Sequence, residues 1–289
     1  MLVNSKGALI SPTDVRDFKV AAKAGIAFPD MFEITAMPKV KSQGQVNSCV
    51  AHATSTILEF HDSKDNKSRN LSTNFIYGIQ NVYCGHDGEG MYLRDACKIA
   101  KDLGDPEELL CKGNTEVPGA HAIAEESYAD KGIMNNASYF KIAGYARCNT
   151  TAAIKSALLN YGPVLASVYW VNDFKVDSKT GILSGPSEGD GGYHAIVIYG
   201  WNENGWLCQN SWGDDWGNKG RFIYPYTYKV AEAWSILDSE ADIDSGKKPS
   251  EELKHKTSVI VKPKTNNTLD IVYKVLNEII RIFINLFKK

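Results

Sequence analysis

The spacing of apolar residues changes character several times along this 289-residue chain, and each change predicts an element or a boundary. Residues 1–27 are polar and poorly patterned, and read as an N-terminal extension and short prosegment. From 28 to 238 aromatics, glycines and apolar residues are dense, as in a folded domain. Its first half has helical spacing: Ala96, Ile99, Ala100 and Leu103 share one face over 94–103, and residues 50–61 follow Asn47-Ser48, a pair suited to a helix N-terminus. Its second half has short apolar runs at 164–169, 194–201, 206–210 and 221–224, which read as strands, with Asn202-Glu203-Asn204-Gly205 as a hairpin signal. Helices followed by antiparallel strands predict an α+β domain in two lobes.

Beyond 238 the pattern changes again. Residues 239–268 are rich in Lys, Glu, Ser, Asn and Asp, the composition of a linker. Residues 269–289 return to helical spacing. On a wheel Asp270, Lys274, Asn277, Glu278, Arg281, Asn285 and Lys288 fall within an arc of about 100°, and the rest is apolar. This predicts an amphipathic helix that docks on a membrane surface or a partner, because charges along its whole length oppose a spanning role.

Composition narrows the classes. A hydrophobic share of 43%, a charged share of 23% and a net charge of -2 suit an ordinary soluble domain and give no reason to expect nucleic acid as a partner. No apolar run is long enough for an ordinary spanning helix, and the first residues lack a basic cluster followed by an apolar stretch. The expectation is a chain without a secretory signal, cytoplasmic and peripherally associated with membrane. The cysteines (Cys49, Cys84, Cys97, Cys111, Cys148, Cys208) are scattered, with no zinc-ligand spacing, so buried thiols are expected rather than a disulfide framework.

Four residues carry candidate chemistry. Cys49 falls in the first turn of a helix that Asn47 or Ser48 can cap, where unpaired N–H groups and the helix dipole favour a thiolate. Gln43, six residues upstream, can donate its side-chain amide to an oxyanion beside Cys49. His194 stands at the mouth of an apolar strand, after Gly191 and Gly192, and the next strand ends at Asn210. If Ile196 lies opposite Asn210, His194 is the diagonal neighbour of that carboxamide, which can hold one ring nitrogen and leave the other for the thiol. A slip of one residue puts them on opposite faces. The other histidines (His52, His61, His86, His121, His255) read as structural or solvated.

Cys, then His about 145 residues on, then Asn is the order and spacing of papain-like enzymes. Gln-Gly-x-x-x-Ser-Cys at 43–49, His194-Ala195 before an apolar strand and Gly200, and Asn-Ser-Trp-Gly-x-x-Trp-Gly-x-x-Gly at 210–220 resemble the papain family of cysteine proteases. Phe28-Pro29-Asp30 resembles the start of its mature domain, and the pattern is closer to the bacterial or viral branch than to the lysosomal one. The resemblance implies a two-lobed fold, with the nucleophile on a helical lobe and His194 and Asn210 on an antiparallel, barrel-like lobe. It implies an oxyanion hole from Gln43 and the Cys49 N–H, and a Trp212 that shields the His194–Asn210 bond. Gly90, Met91, Tyr92 and Leu93 are similar to the loop that binds substrate backbone. With Ala166 and Ala195 they imply an apolar pocket for the second residue before the cleaved bond. Departures are Val46 where papain has a disulfide cysteine, Val50 for an aromatic, Tyr193 for Asp or Asn, and Met91 for a glycine.

The implied reaction is hydrolysis of protein or peptide through an acyl-enzyme, with no metal or organic cofactor. Two other functions fit the same residues: acyl transfer or cleavage of peptidoglycan cross-links, and a catalytically inactive peptide-binding or tethering module.

Overall fold

The computed structural model of the chain describes residues 5–21, 27–63, 69–86, 88–112 and 130–238. In chain order the elements are β1 (Ala8–Leu9), β2 (Phe32–Glu33), α1 (Cys49–Asp62), α2 (Thr73–Cys84), β3 (Met91–Tyr92), α3 (Leu93–Asp102), α4 (Lys131–Ala137), β4 (Gly144–Arg147) and α5 (Thr151–Asn160). Strands follow: β5 (Val164–Val171), β6 (Lys175–Val176), β7 (Leu183–Ser184), β8 (Gly191–Asn202), β9 (Gly205–Gln209), β10 (Arg221–Tyr224) and β11 (Val230–Leu237). Helices dominate the first half and an antiparallel sheet the second, the α+β order expected. All described residues belong to one compact unit; the linker at 239–268 and the amphipathic helix at 269–289 lie outside them. Among the described residues no helix is long and apolar enough to cross a membrane.

The helices that the pattern predicts at 50–61 and 94–103 are α1 and α3. Ser48 is the N-cap of α1, but its hydroxyl makes no capping bond to the backbone and instead meets His52 Nδ1 at 3.2 Å. α2 was not singled out from the sequence, although its ends are well marked. Ser72 accepts from Phe75 N at 3.1 Å, and Gly85 closes the helix in the left-handed region.

α1 is buried from Cys49 to His61, which is possible because its residues are small or satisfied. Thr54 and Thr56 bond back to the carbonyls of Val50 and His52. Glu59 takes Lys41 Nζ at 2.6 Å and Leu71 N at 2.7 Å. Ser55 donates to Asp105 Oδ2 at 2.7 Å, while Asp105 Oδ1 is buried without a hydrogen bond. Burial holds the Asp105 carboxyl well above the usual carboxylate range. A folded-state pKa above the unfolded one means stability is lost as pH rises past the ordinary carboxylate value. Asp105→Asn keeps the Ser55 bond and removes that loss. Its melting temperature should exceed that of the parent at pH 7, by about 2–4 °C for each kcal/mol gained, with the gap narrowing toward pH 4. A gap that widens on acidification would contradict this.

The large sheet has the order β10-β9-β8-β5-β11-β4, with β2 also on β8, and every pair in it is antiparallel. One face packs against α1, α2 and α3 through Leu165, Ala195, Val197, Trp234 and Ile236. The other covers a second core with Ala166, Val168, Ile196, Ile198 and Trp201, closed by α5. These cores are the two lobes, and β8 with α1 forms the seam between them.

The N-terminal segment is not the unpatterned extension its sequence suggests. β1 pairs in parallel with β3, Ala8 level with Met91 and Leu9 with Tyr92, and Ala8 is buried. Two-residue strands leave too little periodicity to read, and the pairing partner lies more than 80 residues away.

Candidate active site

The hairpin β8–β9 decides whether His194 and Asn210 can meet. At its turn Asn202 pairs with Gly205, Trp201 with Trp206 and Gly200 with Leu207. Continued without interruption, that register would set Asn210 opposite Val197, on the face away from His194. A bulge at Tyr199 intervenes, after which Ile198 pairs with Cys208 and Val197 with Gln209. Asn210 therefore comes level with Ile196, on the face of His194.

His194 Nε2 and Asn210 Oδ1 are 2.7 Å apart, both groups buried. Oδ1 also accepts from Ser211 N at 2.7 Å, which settles the orientation of the amide. An amide oxygen only accepts, so Nε2 carries the proton and Nδ1 presents its lone pair. Nδ1 is buried and makes no hydrogen bond. Trp212 stacks on the imidazole with centroids 4.5 Å apart, covering it as expected. Trp170, which sequence reasoning missed, meets the ring edge-on at 5.5 Å. The alternation along β5 holds the signal: Val168 pairs with His194, and Trp170 lies two residues on, opposite Gly192.

Cys49 is the first residue of α1, and its Sγ accepts from Ala195 N at 3.4 Å, one residue from the histidine. Gln43 is held by both lobes. Its Oε1 accepts from Ser211 Oγ at 2.6 Å and its Nε2 donates to Val46 O at 2.8 Å. Ser211 is thus a second residue the sequence reading passed over, though it adjoins Asn210.

The N-terminal segment lies across these groups. Gln43 Nε2 donates to Ser5 O at 3.2 Å, Gly7 N donates to Cys49 Sγ at 3.3 Å, and Met91 N donates to Gly7 O at 2.7 Å. Lys6 Nζ donates to Asn172 Oδ1 at 2.6 Å, and Ser5 Oγ to Gln45 O at 2.6 Å. Close approach requires glycine at both contacts. A Cβ on Gly7 would stand 2.0 Å from Asn47 O, and one on Gly90, at φ +85°, 2.7 Å from Gly7 O. Covered in this way, Cys49 departs from the thiolate expected at a helix start: burial pushes its thiol up, outweighing the N–H groups of Ala195 and Gly7. Burial also lowers His194 to about 4, against the opposing pull of Asn210.

Residues 90–93, expected to bind substrate, lie beside the N-terminal segment. Gly90 donates to Tyr77 Oη at 3.3 Å, Tyr92 pairs with Leu9, and Met91 and Leu93 are buried in the cluster that holds Ala8 and Ala195. Ala166 does not line the same pocket as Ala195. It pairs with Ile196, so its side chain enters the second core, and Ser167 is the residue opposite Ala195. The error is one position in a strand, which reverses the face. Ser167 pairs in turn with Glu232, a buried acidic residue on the same side of the sheet. No disulfide joins any of the six cysteines, and five of them are buried.

A buried cysteine at the head of a central helix, bonded to the backbone one residue from a histidine that an asparagine holds on an antiparallel lobe, defines a papain-like two-lobed protein. The sequence model described as papain family cysteine protease matches residues 29–235, and the chain belongs to that family. It is 29% identical over 216 residues to cathepsin B-like cysteine proteinase 1 of Haemonchus contortus, covering 63% of this chain and 62% of that protein. An uncharacterized peptidase C1-like protein of Acanthamoeba polyphaga mimivirus is 27% identical over 229 residues, 70% of each chain. Among solved structures, xylellain, a cysteine protease from Xylella fastidiosa, shares the fold with a TM-score of 0.72 at 24% identity, covering 82% of this chain and 97% of that one. The chain spans about three fifths of the length of the nematode relatives it matches.

Proposed function

We propose that this chain is a cysteine endopeptidase held latent by its own N-terminal segment. The observation that carries the reading is that a peptide already occupies the cleft: a carbonyl oxygen, Ser5 O, takes the Gln43 amide while the same stretch crosses Cys49 Sγ. What faces the sulfur is the N–H of Gly7, a donor and not an electrophilic carbon, which supports a resting complex.

Once the segment leaves, water re-enters and the burial that raises Cys49 and lowers His194 is relieved. His194 Nδ1, free of other bonds, takes the thiol proton, while Asn210 holds the tautomer through Nε2. The thiolate attacks the peptide carbonyl carbon, and the oxyanion is met by Gln43 Nε2 and the Cys49 N–H. The tetrahedral adduct collapses as imidazolium protonates the leaving amine. Water, deprotonated by His194, then splits the thioester and regenerates the thiol. Proteins or peptides are the substrates. Trp212 and Trp170 exclude water from the His194–Asn210 bond, which strengthens it.

The test is labelling of the full chain with an epoxysuccinyl inhibitor at neutral pH, followed by peptide mapping of the adduct and assay of the residual hydrolysis of a protein substrate. Modification should fall on Cys49 and remove activity. An adduct on Cys84, the one thiol among the six that is not buried, with hydrolysis intact would overturn the mechanism.

A further inference from the structure

Beside the cleft the N-terminal segment makes a second contact, and this one is ionic. Arg94, the second residue of α3, follows directly on the β3 loop, and Arg147 ends β4. Their guanidinium carbons lie 5.7 and 5.3 Å from the centroid of the buried Trp234 ring. Asp17 of the segment reaches both: its Oδ2 is 2.6 Å from Arg94 Nη2 and 3.6 Å from Arg147 Nη1. Arg94 Nε and Arg147 Nη1 are buried and make no hydrogen bond. Glu232, in the row Ala195, Ser167, Glu232 across β8, β5 and β11, is the other anion. It is already occupied by Trp234 Nε1 at 2.7 Å and, 3.8 Å away, by Arg147 Nη2, and its second oxygen takes Ser11 N at 2.9 Å.

The domain thus contributes two cations and one anion, and the balancing carboxylate comes from the segment. When the segment leaves, the two mostly buried guanidinium groups lose Asp17, and the carboxyl group left beside Arg147 is that of Glu232. Desolvated donors without a partner are costly, and guanidinium groups favour carboxylates through paired hydrogen bonds.

We propose that Arg94 and Arg147, stacked against Trp234, form a carboxylate subsite that takes an acidic side chain of the bound peptide in the place of Asp17. This rests on the protease reading above. A substrate strand laid along Met91–Tyr92 in the direction opposite to β1, which runs parallel to β3 from Gly7 at Cys49 toward Asp17 at Arg94, carries the residues before the cleaved bond toward Arg94, so the acidic residue is placed two to four positions before that bond. The subsite replaces the uncharged pocket that the sequence suggests, and Glu232 orients Arg147 within it.

Binding can be read apart from hydrolysis. The full chain carrying Cys49→Ala and Asp17→Ala is titrated calorimetrically with peptides that differ only by Glu, Gln or Lys at each of those three positions. Asp17→Asn, which empties the charge but keeps the shape, replaces Asp17→Ala if that variant fails to fold. At one position the Glu peptide should bind about tenfold or more tightly than the Gln peptide, as charge-assisted bonds allow. Arg94→Gln and Arg147→Gln should each bring that ratio close to one, and Arg147→Lys should restore part of it. Equal binding of Glu and Gln peptides, tightest binding of a Lys peptide, or no binding of any peptide overturns the proposal. Hydrolysis of the same peptides by the chain with Cys49 intact separates the two readings. Cleavage without Glu preference sinks the subsite alone, and Glu-selective binding without cleavage sinks the protease.

Discussion

Gln43→Ala should lower kcat by about 10²–10³-fold, the usual cost of removing one oxyanion donor. The expectation follows from how the side chain is held: Ser211 Oγ fixes its oxygen at 2.6 Å and its nitrogen points at the carbonyl oxygen of Ser5. A group this constrained needs no reorganisation when charge develops on an oxygen in that place. The loss should fall on kcat more than on KM, because the donor acts mainly in the transition state. Alkylation of Cys49 should stay normal or quicken, since the variant also loses the contact with Ser5. Ser211→Ala, which leaves the amide present but unanchored, should cost less than Gln43→Ala. Steady-state kinetics on the unblocked enzyme read both values. Unchanged turnover in Gln43→Ala would mean that the oxyanion is stabilised by other groups.

Gly7→Ala should activate the chain. A methyl group at this position would stand 2.0 Å from Asn47 O and 2.6 Å from Asn47 C, both backbone atoms at the head of α1 that cannot give way cheaply. Overpacking of this kind costs about 1–3 kcal/mol. Here the strain can be relieved by lifting the segment, so the covered state should become about ten- to hundredfold less favoured relative to the open one. The readout is the rate of Cys49 alkylation at neutral pH, with hydrolysis of a protein substrate alongside. Both should rise together, because the same displacement exposes the sulfur, returns water to the thiol and frees the Gln43 amide. A slower alkylation rate with a lowered melting temperature would show that Gly7 serves folding of the domain and not the closing of its cleft.

Much of this was legible in the residues alone. The strand at 221–224 is found at those residues, and α1 and α3 agree with the patterned stretches to within one residue at each end. The reason is that each carries an uninterrupted period and a marked boundary. Asn202 and Gly205 likewise set the β8–β9 turn where expected, with Asn202 Oδ1 accepting from Asn204 N and Gly205 N. The chemical groups were equally visible, because Cys49, Gln43, His194 and Asn210 stand in segments whose order and spacing few other proteins share. α5 had a signal at its start, Thr150, but little amphipathic contrast to draw attention to it, whereas α2, marked by Ser72 and Gly85, has as much contrast as α1 and was passed over. Ala166 was misplaced because a strand offers only two faces, and an error of one residue exchanges them.

What belongs to the sequence by itself, then, is the inventory: the period of each element, the residues able to do the chemistry, and their order along the chain. The tertiary structure decided which of them meet. A bulge at Tyr199 turns Asn210 to the face of His194, and local propensity does not encode it, since it depends on how β8 fits between β9 and β5. The covering of Cys49 by Gly7, and the pairing of Asp17 with Arg94 and Arg147, join residues more than 40 positions apart. Such contacts form only because packing brings the strands together, and the resulting burial reverses the thiolate preference that the helix start would confer.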